Sequence, residues 1–276
     1  LIAQGIIPAM QAEQFDLQPD ANWQYPSRAE PVVFLLKGRF TDIALLQRCL
    51  NSLRQQTEQN FGIILMDDAS GAGHNWCYPM LLGDLTAKTT LVRHNEHQGR
   101  MPNFIMAIEQ VCTNADSFIA VLDQDDCLMQ RTVVSQLLNA VEQGADLVQM
   151  PMFRPNKPLK LYIADYAAPR SKAGANVWAH LRVFKKRLFE QVPKQYFKLG
   201  DAWFDTVTDY LTMLPMAELA IKPVYLDTGY AYWHERRDYG PAEKQHEHQL
   251  IAELLAKPSL VGAAVAPTQV DAESMP

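Results

Sequence analysis

Short apolar runs alternate with stretches of helical periodicity through the first half of the chain. Three continuous apolar runs predict strands buried on both faces, at residues 32–36, 63–66 and 118–122. Apolar residues also recur at helical spacing between and after these runs, at 46–53, 105–112 and 133–141. Strands that alternate with helices predict an α/β fold, with a mostly parallel central sheet flanked by helices.

The pattern changes after Pro151. Loops dominate 152–178, with one strand predicted at 159–163, and helical spacing returns at 183–191, 204–213 and 242–256. The chain therefore divides into four segments. These are 1–30, an N-terminal extension or linker; 31–151, a first half; 152–240, a second half; and 241–276, a C-terminal helix with a flexible tail.

Charge and cysteine usage narrow the class of protein. The 25 Lys and Arg against 31 Asp and Glu give a formal net charge of −6, whereas a protein that tracks nucleic acid needs a basic face. No apolar run approaches the roughly 18 residues of a membrane-spanning helix. Four cysteines without a CxxC pair favour reduced thiols, so we expect a cytoplasmic protein. The start lacks a Met and a basic stretch, and we interpret the chain as part of a longer one with further domains.

Two clusters of acids follow predicted strands. Asp67 and Asp68 end the second apolar run, and Asp123, Asp125 and Asp126 end the third. Ligands of parallel α/β sheets bind outside the carboxyl ends of the strands. Alternate carboxylates on an extended segment lie on one side, about 6–7 Å apart, and can hold a hard divalent cation that also binds a diphosphate. The alternative is that such acids only cap turns or the next helix, and Asp126 fits either interpretation.

Four motifs occur in a fixed order along the first half. They are LQRCLNSLRQQ at 46–56, IILMDDAS at 63–70, an Asn-x-Gly-like loop at 95–103 and VLDQDD at 121–126. Together they resemble the nucleotide-sugar half of inverting family-2 glycosyltransferases, which have the Rossmann-like GT-A fold. The resemblance implies that 31–151 binds a nucleotide sugar and that 152–240 forms a C-terminal acceptor-binding subdomain.

The resemblance also implies roles for individual residues. Asp67 and Asp68 would lie beside the base or ribose of the donor, and Arg100 and Asn103 near the nucleotide or diphosphate. For Arg100, a solvated residue at a helix start is an equally good interpretation.

A divalent cation, Mn²⁺ or Mg²⁺, is implied as cofactor. Asp123 would hold the donor ribose and the metal, and Asp125 is the first choice as direct ligand. His234, in a late aromatic segment similar to the family's Tyr-Tyr-x-Arg, is a further candidate ligand. The other six histidines show no ligand spacing; they are His74, His94, His97, His180, His246 and His248.

The sequence departs from the family in two places. The first strand runs into Leu-Lys-Gly-Arg-Phe at 36–40 instead of a loop that wraps the base, although Lys37 could contact the nucleotide sugar. The usual Glu-Asp pair of the acceptor half is absent. A general base must lie within hydrogen-bond reach of the acceptor hydroxyl, and we take Asp201 as the first candidate and Asp205 as the second.

The implied function is a metal-dependent inverting hexosyl- or N-acetylhexosaminyl-transferase. It would move a sugar from a UDP-sugar to a hydroxyl of a glycan or glycolipid in cell-surface polysaccharide synthesis. The run at 185–187, Lys-Lys-Arg, is interpreted as a solvated helix face or a peripheral contact with the inner face of the membrane. Two alternatives stay open: a catalytically inactive glycosyltransferase-like binding module, and a sugar nucleotidyltransferase, which normally has a Gly-rich loop after its first strand.

Overall fold

The computed structural model describes residues 25–71, 74, 77–155, 157–172, 177–204, 206–235 and 240–262. Most of the predicted N-terminal extension, the predicted flexible tail from residue 263 and Asp205 lie outside these residues. The strands are β1 (Val32–Gly38), β2 (Gly62–Asp67), β3 (Thr89–Arg93), β4 (Phe118–Asp123), β5 (Cys127–Leu128), β6 (Leu147–Gln149), β7 (Met152–Phe153), β8 (Arg182–Lys185), β9 (Lys198–Leu199), β10 (Ala202–Trp203), β11 (Pro223–Tyr225) and β12 (Tyr232–Trp233). The α-helices are α1 (Ile43–Arg54), α2 (Cys77–Leu82), α3 (Arg100–Met106), α4 (Val133–Glu142), α5 (Lys186–Glu190), α6 (Thr208–Leu219) and α7 (Pro241–Ala256).

Within the described ranges, seven strands form the central sheet, in the order β11-β6-β8-β4-β1-β2-β3. Neighbouring strands are parallel, except that β8 runs antiparallel to both β4 and β6. Two small sheets, β5-β12-β7 and the β9-β10 hairpin, lie apart from it. The predicted α/β class with a mostly parallel sheet is confirmed. Strands β8 and β11 come from the predicted second half, so both halves contribute to one sheet.

Apolar side chains cover both faces of this sheet. On β1, Val33 and Leu35 belong to the core on one face, and Val32, Phe34 and Leu36 belong to the core on the other. All five are fully buried, as expected for a central parallel strand whose faces are both covered by helices. Polar residues of this central strand are therefore confined to its carboxyl end, where Lys37 is half-buried.

The largest departure from the predicted elements lies at 182–190. A helix is predicted at 183–191, but Arg182–Lys185 form β8 and only Lys186–Glu190 are helical. Lys185 and Lys186 are each 7% exposed, so the predicted solvated lysine face is wrong for these two residues. Long lysine stems can be buried while the ammonium group reaches a carboxylate, and each of the two does so.

Two smaller predictions also differ. The stretch predicted as a strand at 159–163 contains no regular element in the structure. The helix predicted at 204–213 begins only at Thr208, because Val207 has a left-handed backbone conformation with φ of 48°, and it continues to Leu219. Among the described residues, none of the helices has the length and apolar content needed to cross a membrane.

Candidate functional site

Three side chains converge at the carboxyl end of β4. Ligand atoms of Asp123, Asp126 and His180 all lie within 4.8 Å of one another. Asp123 ends the strand, and a turn closed by the Asp126 amide on the Asp123 carbonyl, at 3.0 Å, brings Asp126 back toward it. His180 reaches the same place because it precedes β8, the antiparallel neighbour of β4. Two carboxylates suit Mn²⁺ or Mg²⁺ and an imidazole suits a transition ion, so this donor set fits a divalent cation such as Mn²⁺.

The carboxylate of Asp123 lies among basic side chains. Lys37 Nζ is 3.0 Å from Asp123 Oδ1, and His180 Nε2 is 3.5 Å from Asp123 Oδ2. Burial raises the pKa of Asp123, but Lys37, His180 and Arg182 outweigh that effect and hold the pKa well below its usual range. Asp123 is therefore ionised at neutral pH. Arg182 also donates to the His180 ring at 2.6 Å, and burial together with this guanidinium keeps the pKa of His180 low.

Asp126 is fully buried and accepts three hydrogen bonds from the segment at β12. The donors are Tyr232 Oη at 2.6 Å, His234 Nδ1 at 3.0 Å and the backbone N–H of Glu235 at 2.6 Å. The Tyr232 and His180 rings stack with centroids 4.6 Å apart. His234, predicted as a metal ligand, thus holds Asp126 through Nδ1, and its Asp126 contact raises the pKa of His234 although burial opposes this.

Asp125, the predicted direct ligand, lies on the exposed side of the same loop. Partial desolvation of its carboxyl and repulsion by Asp126 and Asp123 raise the pKa of Asp125 to about 6. A carboxylate pressed against two others is stabilised when a cation enters the cluster. The role of Asp125 as direct ligand stays a prediction, because the geometric group contains Asp126 and His180 in place of Asp125 and His234.

Asp67, predicted to contact the donor, has both carboxylate oxygens engaged within the protein. Oδ1 accepts from Tyr78 Oη at 2.7 Å and Oδ2 accepts from the Ser70 amide at 3.1 Å. The residue is fully buried. Asp67 therefore shapes the turn after β2, and its predicted contact with base or ribose stays a prediction.

Asp68 organises the loop that precedes α3. Its carboxylate accepts from the amides of Gln98 at 2.8 Å and Gly99 at 3.2 Å, and it pairs with His97 Nδ1 at 2.6 Å. Burial raises the pKa of Asp68, but these hydrogen bonds and one from Asn103 outweigh burial, so the pKa lies below its usual value. The loop predicted from the sequence thus lies beside the acids after β2.

Two donor-site candidates begin α3. Asn103 is buried, and its Oδ1 atom has no hydrogen-bond partner among the residues that the structure describes. A buried, unsatisfied amide oxygen costs about 1–3 kcal/mol unless a ligand or water satisfies it. Arg100 is exposed at the first turn, after Gly99, whose φ of 93° sets the turn into the helix. Both therefore lie at the loop that Asp68 holds, where a donor contact was predicted.

The predicted bases lie in the second half. Asp201 is exposed at the tip of the β9-β10 hairpin, and Asp205 lies outside the described residues. Asp209, which the sequence analysis did not consider, is half-buried in the first turn of α6. Burial raises the pKa of Glu247 on α7, and the negative charge of nearby Asp209 raises it further. Asp209 is thus a further acid of the predicted second half.

Sequence reasoning missed His180 and left Asp126 open between a cation-binding role and a capping role. In an extended chain the Asp126 side chain would point away from that of Asp123. The turn between the two residues brings the side chains together instead. His180 has no ligand spacing, because its position depends on β8, which the sequence predicted as part of a helix. His180 could have been found from the sequence only if Arg182–Lys185 had been predicted as a strand that pairs with β4.

The sequence pattern described as Glycosyl transferase family 2 matches residues 40–204. No curated protein matches the chain in sequence. The structure is similar to that of TarS from S. aureus in complex with UDP-GlcNAc, at 16% identity and a TM-score of 0.59, with 81% of this chain and 66% of the TarS fragment covered. A longer crystallised chain of TarS is similar at 15% identity and a TM-score of 0.58, and the present chain spans 42% of the length of that TarS chain.

A second similar structure is a mannosyltransferase, PcManGT from Pyrobaculum calidifontis, in complex with GDP-Man and Mn²⁺. Identity is 14%, the TM-score is 0.56, and 91% of this chain and 71% of that protein are covered. At such identities the likeness establishes the shared GT-A fold. Membership of a family is instead judged from the family pattern, which matches more than half of the chain.

Proposed function

Because the chain belongs to glycosyl transferase family 2, we propose that it is a metal-dependent, inverting glycosyltransferase that moves a sugar from a nucleotide sugar to a hydroxyl of a glycan or glycolipid. UDP-sugars are the proposed donors, and hexose or N-acetylhexosamine is the proposed sugar. Of the similar proteins, TarS was crystallised with UDP-GlcNAc and PcManGT with GDP-Man, which supports the donor class. Synthesis of a cell-surface polysaccharide is the proposed setting.

One observation carries the proposal: the convergence of Asp123, Asp126 and His180 within 4.8 Å at the carboxyl end of a parallel strand. This is the edge at which open α/β sheets bind ligands. Asp125 adds a third carboxylate to the same loop, and partial burial together with repulsion by Asp126 and Asp123 raises its pKa to about 6. The cluster supports a divalent cation with positions left open for a diphosphate.

The metal site would be held by Asp123 and Asp125, with His180 or Asp126 completing it. A bound Mn²⁺ or Mg²⁺ supplies Lewis-acid stabilisation of the charge that develops on a diphosphate leaving group. The chain's own residues orient this loop, since Tyr232, His234 and Glu235 hold Asp126.

The acceptor side needs a base. Inversion requires a carboxylate that takes the acceptor's proton on the sugar face opposite the diphosphate. Asp201, exposed at a hairpin tip, is accessible to an acceptor, and Asp205 is the second candidate. Direct attack by the oxygen on the anomeric carbon breaks the bond to the diphosphate oxygen, and the carboxylate keeps the proton.

The experiment that tests this function is a donor panel. Purified protein with Mn²⁺ is incubated with UDP-, GDP- and dTDP-sugars, with water or a glycan hydroxyl as the acceptor of the sugar, and release of the nucleoside diphosphate is measured. Release from at least one donor, abolished by EDTA, supports the transferase. Release of pyrophosphate from a nucleoside triphosphate plus a sugar phosphate would instead support a nucleotidyltransferase, and donor binding without any release would support an inactive binding module.

A further inference from the structure

The ammonium group of Lys37 lies within the cluster that would hold the metal. Its Nζ atom is 3.0 Å from Asp123 Oδ1, and His180 Nε2 is 3.5 Å from the other oxygen of the same carboxylate. Each oxygen of Asp123 therefore already faces a nitrogen. The register of the sheet pairs Lys37 on β1 directly with Asp123 on β4, so the backbone itself fixes this contact.

The backbone keeps the Lys37 side chain beside the site. The side chain is 17% exposed, and it extends from the carboxyl end of a strand that is covered on both faces. A divalent cation bound to Asp123 and its neighbours would therefore lie a few ångströms from a tethered positive charge. Like charges at that distance repel strongly in a partly desolvated site.

We propose that Lys37 is an internal counter-ion that competes with the divalent metal for Asp123 and then binds the donor diphosphate. In the metal-free protein, the ammonium group neutralises Asp123. When a metal takes that carboxylate, the ammonium group is released toward the open side of the cluster, where a diphosphate adds negative charge. The inference rests on the proposed function and assigns Lys37 a role in both metal affinity and donor affinity.

Two opposite effects of one substitution follow. Lys37→Met keeps most of the side-chain stem and removes the charge, so the affinity for Mn²⁺ without nucleotide should rise by about tenfold, which corresponds to about 1.4 kcal/mol. The affinity for UDP at saturating Mn²⁺ should fall by a similar factor. A residue with a merely structural role would not change the two affinities in opposite directions.

The experiment measures free Mn²⁺ by electron paramagnetic resonance and UDP binding by calorimetry. Lys37→Arg keeps the charge and should resemble the wild type in both. Lys185→Met is the matched control, because Lys185 is a buried lysine that is also paired with an aspartate, Asp116 at 3.9 Å, at the opposite end of β4. Its loss should leave both affinities unchanged. If Lys37→Met does not fold, Lys37→Gln replaces it.

The outcomes separate the inference from the function beneath it. If wild type and Lys37→Met bind Mn²⁺ equally tightly, the counter-ion role is overturned and the proposed metal site stands. If Lys37→Met binds Mn²⁺ more tightly but UDP is unaffected, the diphosphate contact is overturned. If neither protein binds Mn²⁺, the inference and the proposed metal dependence both fail.

Discussion

Arg48 of helix α1 donates a hydrogen bond of 2.7 Å to the backbone carbonyl oxygen of Asp125. Its other terminal nitrogen donates to Glu235 Oε2 at 2.8 Å, and the amide of Glu235 in turn donates to Asp126. One guanidinium group therefore ties the acidic loop after β4 to the segment after β12. A planar group with several fixed donors is well suited to hold two partners in one geometry.

Replacing Arg48 tests this tie. Arg48→Met should weaken UDP binding in the presence of Mn²⁺ by about tenfold, or about 1.4 kcal/mol, because the backbone that carries Asp125 loses its anchor. Calorimetric titration of UDP measures the effect. Arg54→Met is the control from the same helix, since Arg54 contacts Asp84 at 2.6 Å and backbone carbonyls near α2. Unchanged UDP affinity in Arg48→Met would contradict a positioning role.

The hydroxyl of Tyr78 supports the turn after β2. Tyr78→Phe removes the 2.7 Å bond to Asp67 Oδ1 and leaves a buried carboxylate oxygen without that donor, so the free energy of unfolding should fall by about 1–3 kcal/mol. Urea denaturation measures it. Tyr166→Phe, which removes a weaker contact of 3.5 Å to Gln149, should cost less. Equal stability of wild type and Tyr78→Phe would show that this bond does not hold the turn.

The acids at the strand ends could be predicted from the sequence, whereas the side chains that reach them from neighbouring strands could not. Apolar runs ending in acids located Asp67 and Asp123 correctly, because a buried parallel strand has a distinctive composition and ligands gather at its carboxyl end. Lys37 was predicted only as a contact to the nucleotide sugar, because its pairing with Asp123 depends on the β1–β4 register. His180 depends on an antiparallel strand far along the chain, which no local pattern encodes.

Asp68 should make stability depend on pH. Its pKa in the folded state lies below the unfolded value of about 3.9, so its contribution is present above that value and is lost as the pH falls through the folded-state pKa. Wild type should exceed Asp68→Asn in unfolding free energy at about pH 6, and the difference should shrink at about pH 3. Urea denaturation at both pH values measures this. A difference that is constant between them would contradict the prediction.

The base assignment is tested by three conservative substitutions. Asp201→Asn should lower kcat about 100-fold or more while UDP affinity is unchanged, because a general base contributes about 10²–10⁴-fold. Asp205→Asn tests the second candidate, and Asp209→Asn tests the half-buried acid of α6. Full activity of both Asp201→Asn and Asp205→Asn would show that the proposed base is wrong. Loss of activity in Asp209→Asn alone would indicate that Asp209 is the general base.

The central claim is that the acidic loop after β4 binds a nucleotide sugar through a divalent metal. The most direct measurement is calorimetric titration of UDP into the wild type, with saturating Mn²⁺ and with EDTA. The titration is repeated on Asp125→Ala and on the control Asp116→Asn. Asp116 is an acid near the amino end of β4 that pairs with Arg187 at 2.7 Å. The account predicts that EDTA and Asp125→Ala each weaken UDP binding about tenfold or more, and that Asp116→Asn does not. UDP binding that is absent in the wild type, or equal with and without Mn²⁺ and in Asp125→Ala, would contradict it.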